Sequence, residues 1–269
     1  MLELCTPVIF ANVKLVSFIK KTFELNAVIH GIDKLDQLVL GKINVINTWR
    51  EPVEVNYGKS DDEMGKYAIK SFQAATKALK EGAIDVLVTA PISKYNIQSE
   101  EFKFPGHTDY LSKEFGQEAL MLMVCDNLRV GLLTDHIPVT DVAKHLTEKL
   151  ITQKVETLNK SLIQDFSINK PKIAVLGLNP HAGDNGVIGK EDDEVIKPTV
   201  KKLFEKGMMV FGPYSADGFF GSGQYEKFDG ILAAYHDQGL IPFKTLSFGN
   251  GVNYSAGLSK IRTSPDHGT

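Results

Sequence analysis

Cysteine is scarce in this 269-residue chain, which holds only Cys5 and Cys125. Two thiols so far apart give neither a metal-binding pair nor a disulfide framework. They suit a reducing compartment, so a cytoplasmic location is expected. Basic charge is not in excess either. Thirty Lys and Arg stand against 33 Asp and Glu, for a net charge of −3, and no basic stripe is present, which argues against a nucleic-acid partner. The opening residues lack the basic and apolar regions of a secretory signal. No apolar run reaches the ~20 residues needed to span a bilayer, so no membrane partner is expected. Phosphate-cradling fingerprints are missing as well. Residues 183–189 and 218–223 are glycine-rich, but neither matches G-x-G-x-x-G or a P-loop.

What is present is an ordinary globular composition, 43% hydrophobic and 23% charged, at a length suited to two domains. Strand-like runs are expected at 6–10, 84–90, 119–125, 129–134, 172–178, 208–211, 230–235 and 253–258. Helical patterns fill 12–25 and 62–82, and a long helix is expected from a Thr140 cap to about residue 163. Another covers 191–206. It opens with Glu191, Asp192, Asp193 and Glu194, which suit the helix dipole, and Pro198 should kink it or cost it a hydrogen bond. Such alternation predicts α/β layers on a largely parallel sheet. The Gly/Pro stretch 104–106 is the best crossing point between domains.

Three histidines recur in one setting. Apolar runs at 128–134, 173–178 and 231–235 lead into His136, His181 and His236. Polar residues at the carboxyl ends of buried strands face the crevice where open α/β sheets bind ligands. Three imidazoles there suit a divalent metal with open positions. Asp217 and Asp237 could complete the shell or support it from behind, although ordinary turns use Asp equally well. A second constellation is Gly106, His107 and Thr108 before a helix, where backbone N–H groups, hydroxyl and imidazole make a phosphate site. The dull reading is a plain N-cap. A third is Lys244, Asn253 and Arg262, flanked by apolar segments; lysine and arginine are the groups that hold phosphate or carboxylate. His145 reads as a solvated helix residue and His30 as turn surface. His267 is open to either reading. Lys94 is within reach of a cleft, although such lysines are usually on the surface.

The segments TAPISK, PGHTDYL, TDHIPV, LGLNPHAGDNG, AAYHDQG, IPFK, FGNGVN and IRTSPDHGT, in that order, resemble the 4-hydroxythreonine-4-phosphate dehydrogenase family of vitamin B6 biosynthesis. The set is specific, where any one segment alone is weak. The resemblance implies two α/β/α domains similar to isocitrate and isopropylmalate dehydrogenases, with the active site in the interdomain cleft. Those folds bind dinucleotides without the usual glycine fingerprint. On this reading the first domain is 1–105 with the tail 263–269, and 106–262 binds metal and substrate. The resemblance further implies a homodimer with shared sites, NAD or NADP, and a divalent metal (Zn, Mg, Co or Mn) on His136, His181 and His236. His107, Thr108, Lys244, Asn253 and Arg262 would bind substrate. The implied reaction oxidises and decarboxylates 4-phosphooxy-L-threonine to 3-amino-2-oxopropyl phosphate, with Lys244 or Asp217 nominated for proton transfer. Other expectations are a dehydrogenase of another four-carbon acid 4-phosphate (threonate or erythronate type) and a non-catalytic binding fragment. The family's opening strand with its GDPxGIG-like loop has no counterpart here, nor has its last helical segment, so the chain reads as shortened at both ends.

Overall fold

Leu128, Val130 and Leu132 point to one side of their strand and Leu133 to the other, and all four are buried. Strands apolar on both sides need a covering layer on each. The computed structural model describes residues 2–59, 61–93, 95–99, 102–104, 106–126 and 128–266. Lys94, Pro105 and His267 lie outside the described residues. The chain divides into two compact units at Leu111/Ser112.

The first unit opens with β1 (Val8–Ala11), α1 (Val13–Thr22), β2 (Ile29–Ile32) and β3 (Ile43–Asn47). The three strands are parallel, in the order β1-β3-β2. Asn12 caps α1, its Oδ1 accepting from the amides of Lys14 and Leu15. His30 is therefore a strand residue opposite Asn44 and not the turn residue expected. Next come α2 (Asp62–Lys80), capped by Asp61, and β4 (Val86–Val88). Phe72, Ala75, Ala78 and Leu79 form the buried face of α2, as their spacing predicts. The helix α3 (His107–Phe115) begins at the expected place. The division between units falls inside α3, beyond the Gly/Pro stretch chosen from sequence.

The second unit contains β5 (Leu120–Cys125), β6 (Leu128–Leu132), α4 (Val139–His145), α5 (Glu148–Gln164), β7 (Ile173–Leu176), α6 (Lys197–Glu205), β8 (Val210–Tyr214), α7 (Ala216–Gly221), β9 (Gly230–Ala233), α8 (His236–Ser247), β10 (Val252–Ala256) and β11 (Ile261–Pro265). Its strands run in the order β11-β10-β5-β6-β9-β7-β8. The sheet is mixed, against the largely parallel sheet expected. β6, β9, β7 and β8 are parallel, whereas β11, β10, β5 and β6 pair antiparallel. The close spacing of β5 and β6 demands this, since two residues cannot carry a parallel crossover. Residues 263–265, assigned with the first domain from sequence, pair with β10 in the second unit.

One side of the sheet packs Leu122, Val175, Leu232 and Tyr254 against Ile151, Val155 and Leu158 of α5 and Val200 and Leu203 of α6. The other packs Val130, Leu132, Ile231 and Ala233 against Leu240 and Phe243 of α8 and Phe219 of α7. The single helix expected from Thr140 is two. The break falls at Leu146–Thr147, where Thr147 Oγ1 accepts from the Leu150 amide and starts α5. The expected helix 191–206 forms as one run through Glu205, in which Asp192–Ile196 is wound as a π-helical turn that passes directly into α6, with Pro198 just beyond it. Among the described residues no helix is long and apolar enough to cross a membrane.

Candidate active site

The three histidines stand at the carboxyl ends of three adjacent parallel strands, β6, β9 and β7. Val130 pairs with Ile231, and Val175 with Leu232. Beyond β6 the chain stays tied to its neighbour, the Thr134 amide and hydroxyl both donating to Ala234 O. Two residues later on each strand come His136 and His236, whose ring centroids are 5.6 Å apart. With metal–nitrogen bonds of ~2.0–2.1 Å, two imidazoles on one ion stand at about this spacing. His236 Nδ1 is 2.7 Å from Asp237 Oδ1. A carboxylate on one ring nitrogen leaves the other as the donor, the usual arrangement behind metal-binding histidines. The donor chemistry therefore fits a divalent ion. Among the described residues, however, no group of three His, Cys, Asp or Glu converges closely enough to hold one. Removing the Asp237 carboxylate, as in Asp237→Asn, is expected to weaken divalent-metal binding by about 10–100-fold. Calorimetric titration of metal-free protein measures this.

His181 is carried by an unusual loop. Residues 181–186 all have positive φ, including the non-glycine residues His181, Ala182, Asp184 and Asn185. Each such L-residue costs roughly 1–2 kcal/mol, and strain of this kind persists only where the surroundings enforce it. Just upstream of the run the chain is tied to Asp192, one of the four acids that the sequence assigns to the helix dipole. It is fully buried, and its carboxylate accepts from the amides of Leu178 (2.8 Å) and Asn179 (3.1 Å) and from Asn179 Nδ2 (2.9 Å). The π-helical turn, a form common at functional sites, turns that carboxylate inward.

Gln238 ties this loop to α8. Its Oε1 accepts from the Ala234 amide and its Nε2 donates to Gly177 O, both at 2.7 Å. Gln238→Met leaves both backbone groups without that partner. It is expected to cost about 1–3 kcal/mol, measurable by denaturant unfolding.

Asp217, at the start of α7, lies within electrostatic reach of His181. Its pKa is lowered, first by the Ser215 hydroxyl, then by the Gly218 amide and His181. A carboxylate so stabilised is a weak base and serves better as the charged neighbour of His181.

Lys244, Asn253 and Arg262 gather on the α8 side of the sheet. Lys244 Nζ pairs with the largely buried carboxylate of Asp266 at 3.0 Å. Asn253 Oδ1 is buried with no hydrogen-bond partner among the described residues, an unsatisfied acceptor of the kind that a ligand donor relieves. Arg262 is buried and donates to Ser255 Oγ at 3.2 Å. Burial pushes its pKa down to about 10, so it remains cationic at neutral pH. His107 and Thr108 stand in the first unit, half-buried, with the His107 ring edge-on to Phe72 at 4.7 Å. The sequence reading missed Asp192, Gln238 and Asp266. A buried acid within a four-acid run carries no local mark. Gln238 and Asp266, beside motif histidines, carried only the signal of proximity.

Imidazoles at the ends of adjacent parallel strands, with a buried cation and an unsatisfied amide oxygen elsewhere on the same sheet, are the parts of an α/β enzyme acting on a small anionic molecule. The chain belongs to the family described as pyridoxal phosphate biosynthetic protein PdxA, whose model matches residues 3–269. It is 48% identical to a 4-hydroxythreonine-4-phosphate dehydrogenase of Bacteroides thetaiotaomicron, over all of this chain and 74% of that protein. A dehydrogenase of the same name from Sulfurihydrogenibium is 43% identical over 97% of this chain and 80% of the relative. The crystal structure of a 4-hydroxythreonine-4-phosphate dehydrogenase from Burkholderia phymatum superposes with a TM-score of 0.81 at 34% identity, covering 98% of this chain and 81% of that one. A terephthalate 1,2-cis-dihydrodiol dehydrogenase from Burkholderia xenovorans shares the fold at 23% identity and a TM-score of 0.64.

Proposed function

We propose that this chain catalyses the NAD(P)-linked, metal-dependent oxidation and decarboxylation of 4-phosphooxy-L-threonine to 3-amino-2-oxopropyl phosphate, as a homodimer whose subunits share each active site. The observation that carries the reading is the placing of His136, His181 and His236 at the ends of adjacent strands, in a chain 48% identical to a dehydrogenase of that name. His136 and His236 would hold the divalent ion, with His181 as the third ligand. When bound, such an ion acts as a Lewis acid that eases loss of the hydroxyl proton and steadies developing enolate charge.

The chain's own residues bind and orient. Arg262 takes oxygens of the phosphate or carboxylate, Asn253 Oδ1 accepts from a substrate N–H or O–H, and His107 and Thr108 take oxygens remote from C3. Anchoring both ends of a small substrate fixes C3 for transfer to the nicotinamide. In the first step the C3–H bond breaks, hydride passes to the oxidised nicotinamide and the hydroxyl proton is released. The resulting β-keto acid loses CO2, and the enol left behind takes up a proton. Lys244, held by Asp266, is the group assigned to proton exchange. Asp217 is passed over for that role because its carboxylate is held in the charged form.

A panel of 4-phosphooxy-L-threonine, threonate 4-phosphate and erythronate 4-phosphate tests the substrate. Reduced nicotinamide formed preferentially from the first is the expected result. Preference for either of the others would reassign it.

A further inference from the structure

The loop 177–189 folds around one carboxylate with no space to spare. A Cβ on Gly177 would stand 2.8 Å from Asp192 Oδ1 and 3.0 Å from Ala182 Cα, and one on Gly183 would stand 2.8 Å from Gly189 O. Asp192 fastens the two residues that precede Pro180, Leu178 and Asn179, through three hydrogen bonds. Asn179 is held on its other side too, its Nδ2 also donating to Glu191 Oε2 at 2.9 Å. The left-handed run begins at His181, immediately beyond these fastened residues.

We propose that Asp192 is a positioning residue: its buried carboxylate imposes the left-handed path that presents the His181 imidazole at the end of β7. The inference rests on the reading of His181 as a metal ligand. An isolated chain with four non-glycine residues at positive φ would relax to right-handed conformations. Within the run the Asp184 amide donates to His181 O and the Gly186 amide to Gly183 O, and the buried clamp fixes the two residues from which the run starts. An amide in place of the carboxylate presents a donor to donors, so Asp192→Asn should release the loop although it matches the native side chain in size.

The test measures affinity for Mn2+ alone, by calorimetry on metal-free protein, for wild type and four variants. These are His181→Ala, Asp192→Asn, the milder Asn179→Ala, and Val200→Ala as a core variant that takes part in none of the clamp's hydrogen bonds. Asp192→Asn and Asn179→Ala are expected to weaken Mn2+ binding by about 10–100-fold, the range for supporting residues behind metal ligands. Val200→Ala, with a comparable loss in Tm, should bind as wild type does. If Asp192→Asn does not fold, Asn179→Ala decides. Wild-type affinity in the clamp variants, with His181→Ala impaired, overturns the inference and leaves the site reading standing. Wild-type affinity in His181→Ala overturns the site reading and the inference with it.

Discussion

His236→Ala is expected to lower kcat/KM by at least about a hundredfold, since even residues behind metal ligands are worth 10–100-fold. His236 is the central histidine of the three, following β9, which lies between β6 and β7. It opens α8, has its Nδ1 fixed by Asp237 and faces His136 at 5.6 Å between ring centroids. No neighbour can substitute for it, because the adjacent strand ends already present His136 and His181. Its side chain is partly exposed, so truncation opens no cavity in the core, and Tm should stay close to that of wild type. Steady-state kinetics at saturating metal, paired with thermal unfolding, separates the two effects. A variant with normal kcat/KM would remove the imidazole set from the mechanism.

Arg262→Lys is expected to raise KM by about 10–100-fold, with a smaller change in kcat. Hydrogen bonds to charged groups contribute about 1.5–3 kcal/mol, and a lysine at a site built for a planar fork keeps the charge but loses the paired donors. Arg262 has the shape for that grip on β11, buried beside Ser255. Its pKa, pushed down to about 10 by burial, adds a pH dependence. Substrate affinity should be flat near neutrality and fall as pH rises through about 10, where the guanidinium begins to lose its proton. The sign for stability is opposite. Burial penalises the charged form, and that cost is relieved as pH rises from about 10 towards the ordinary arginine range. KM across alkaline pH for wild type and Arg262→Lys tests the first statement, and unfolding over the same pH range tests the second.

The strands that carry the histidines were legible because their residues are apolar on both faces and short. Buried parallel strands need no alternation, and each ends in a polar residue facing a crevice. β2 and β3 escaped notice. Ile29–Ile32 includes His30 and Gly31, and Ile43–Asn47 begins after Lys42 and contains Asn44, so neither shows a clean apolar run. The helix α8 was hidden by Pro242 in its middle and by glycine at 239. That glycine is required by packing, since a Cβ there would stand 2.9 Å from the side chains of Ala233 and Leu132. The break at Thr147 was misread because Thr140 and Thr147 are equally good caps locally, and the contacts made by Leu146 in the core decide between them. Asp192 marks the limit of reading by pattern. Its neighbours Asp193 and Glu194 are acids of the same kind, and only the long-range fold turns one carboxylate into the interior and leaves Asp193 paired with Lys197 on the surface.

The most direct test of the central claim is formation of reduced nicotinamide from 4-phosphooxy-L-threonine by the metal-stripped protein, before and after a divalent ion is restored. The account predicts no turnover from stripped protein, recovery with Zn2+, Mn2+, Co2+ or Mg2+, and release of CO2 equal to the nicotinamide reduced. Turnover that persists undiminished after complete metal removal, or oxidation without CO2 release, would contradict it.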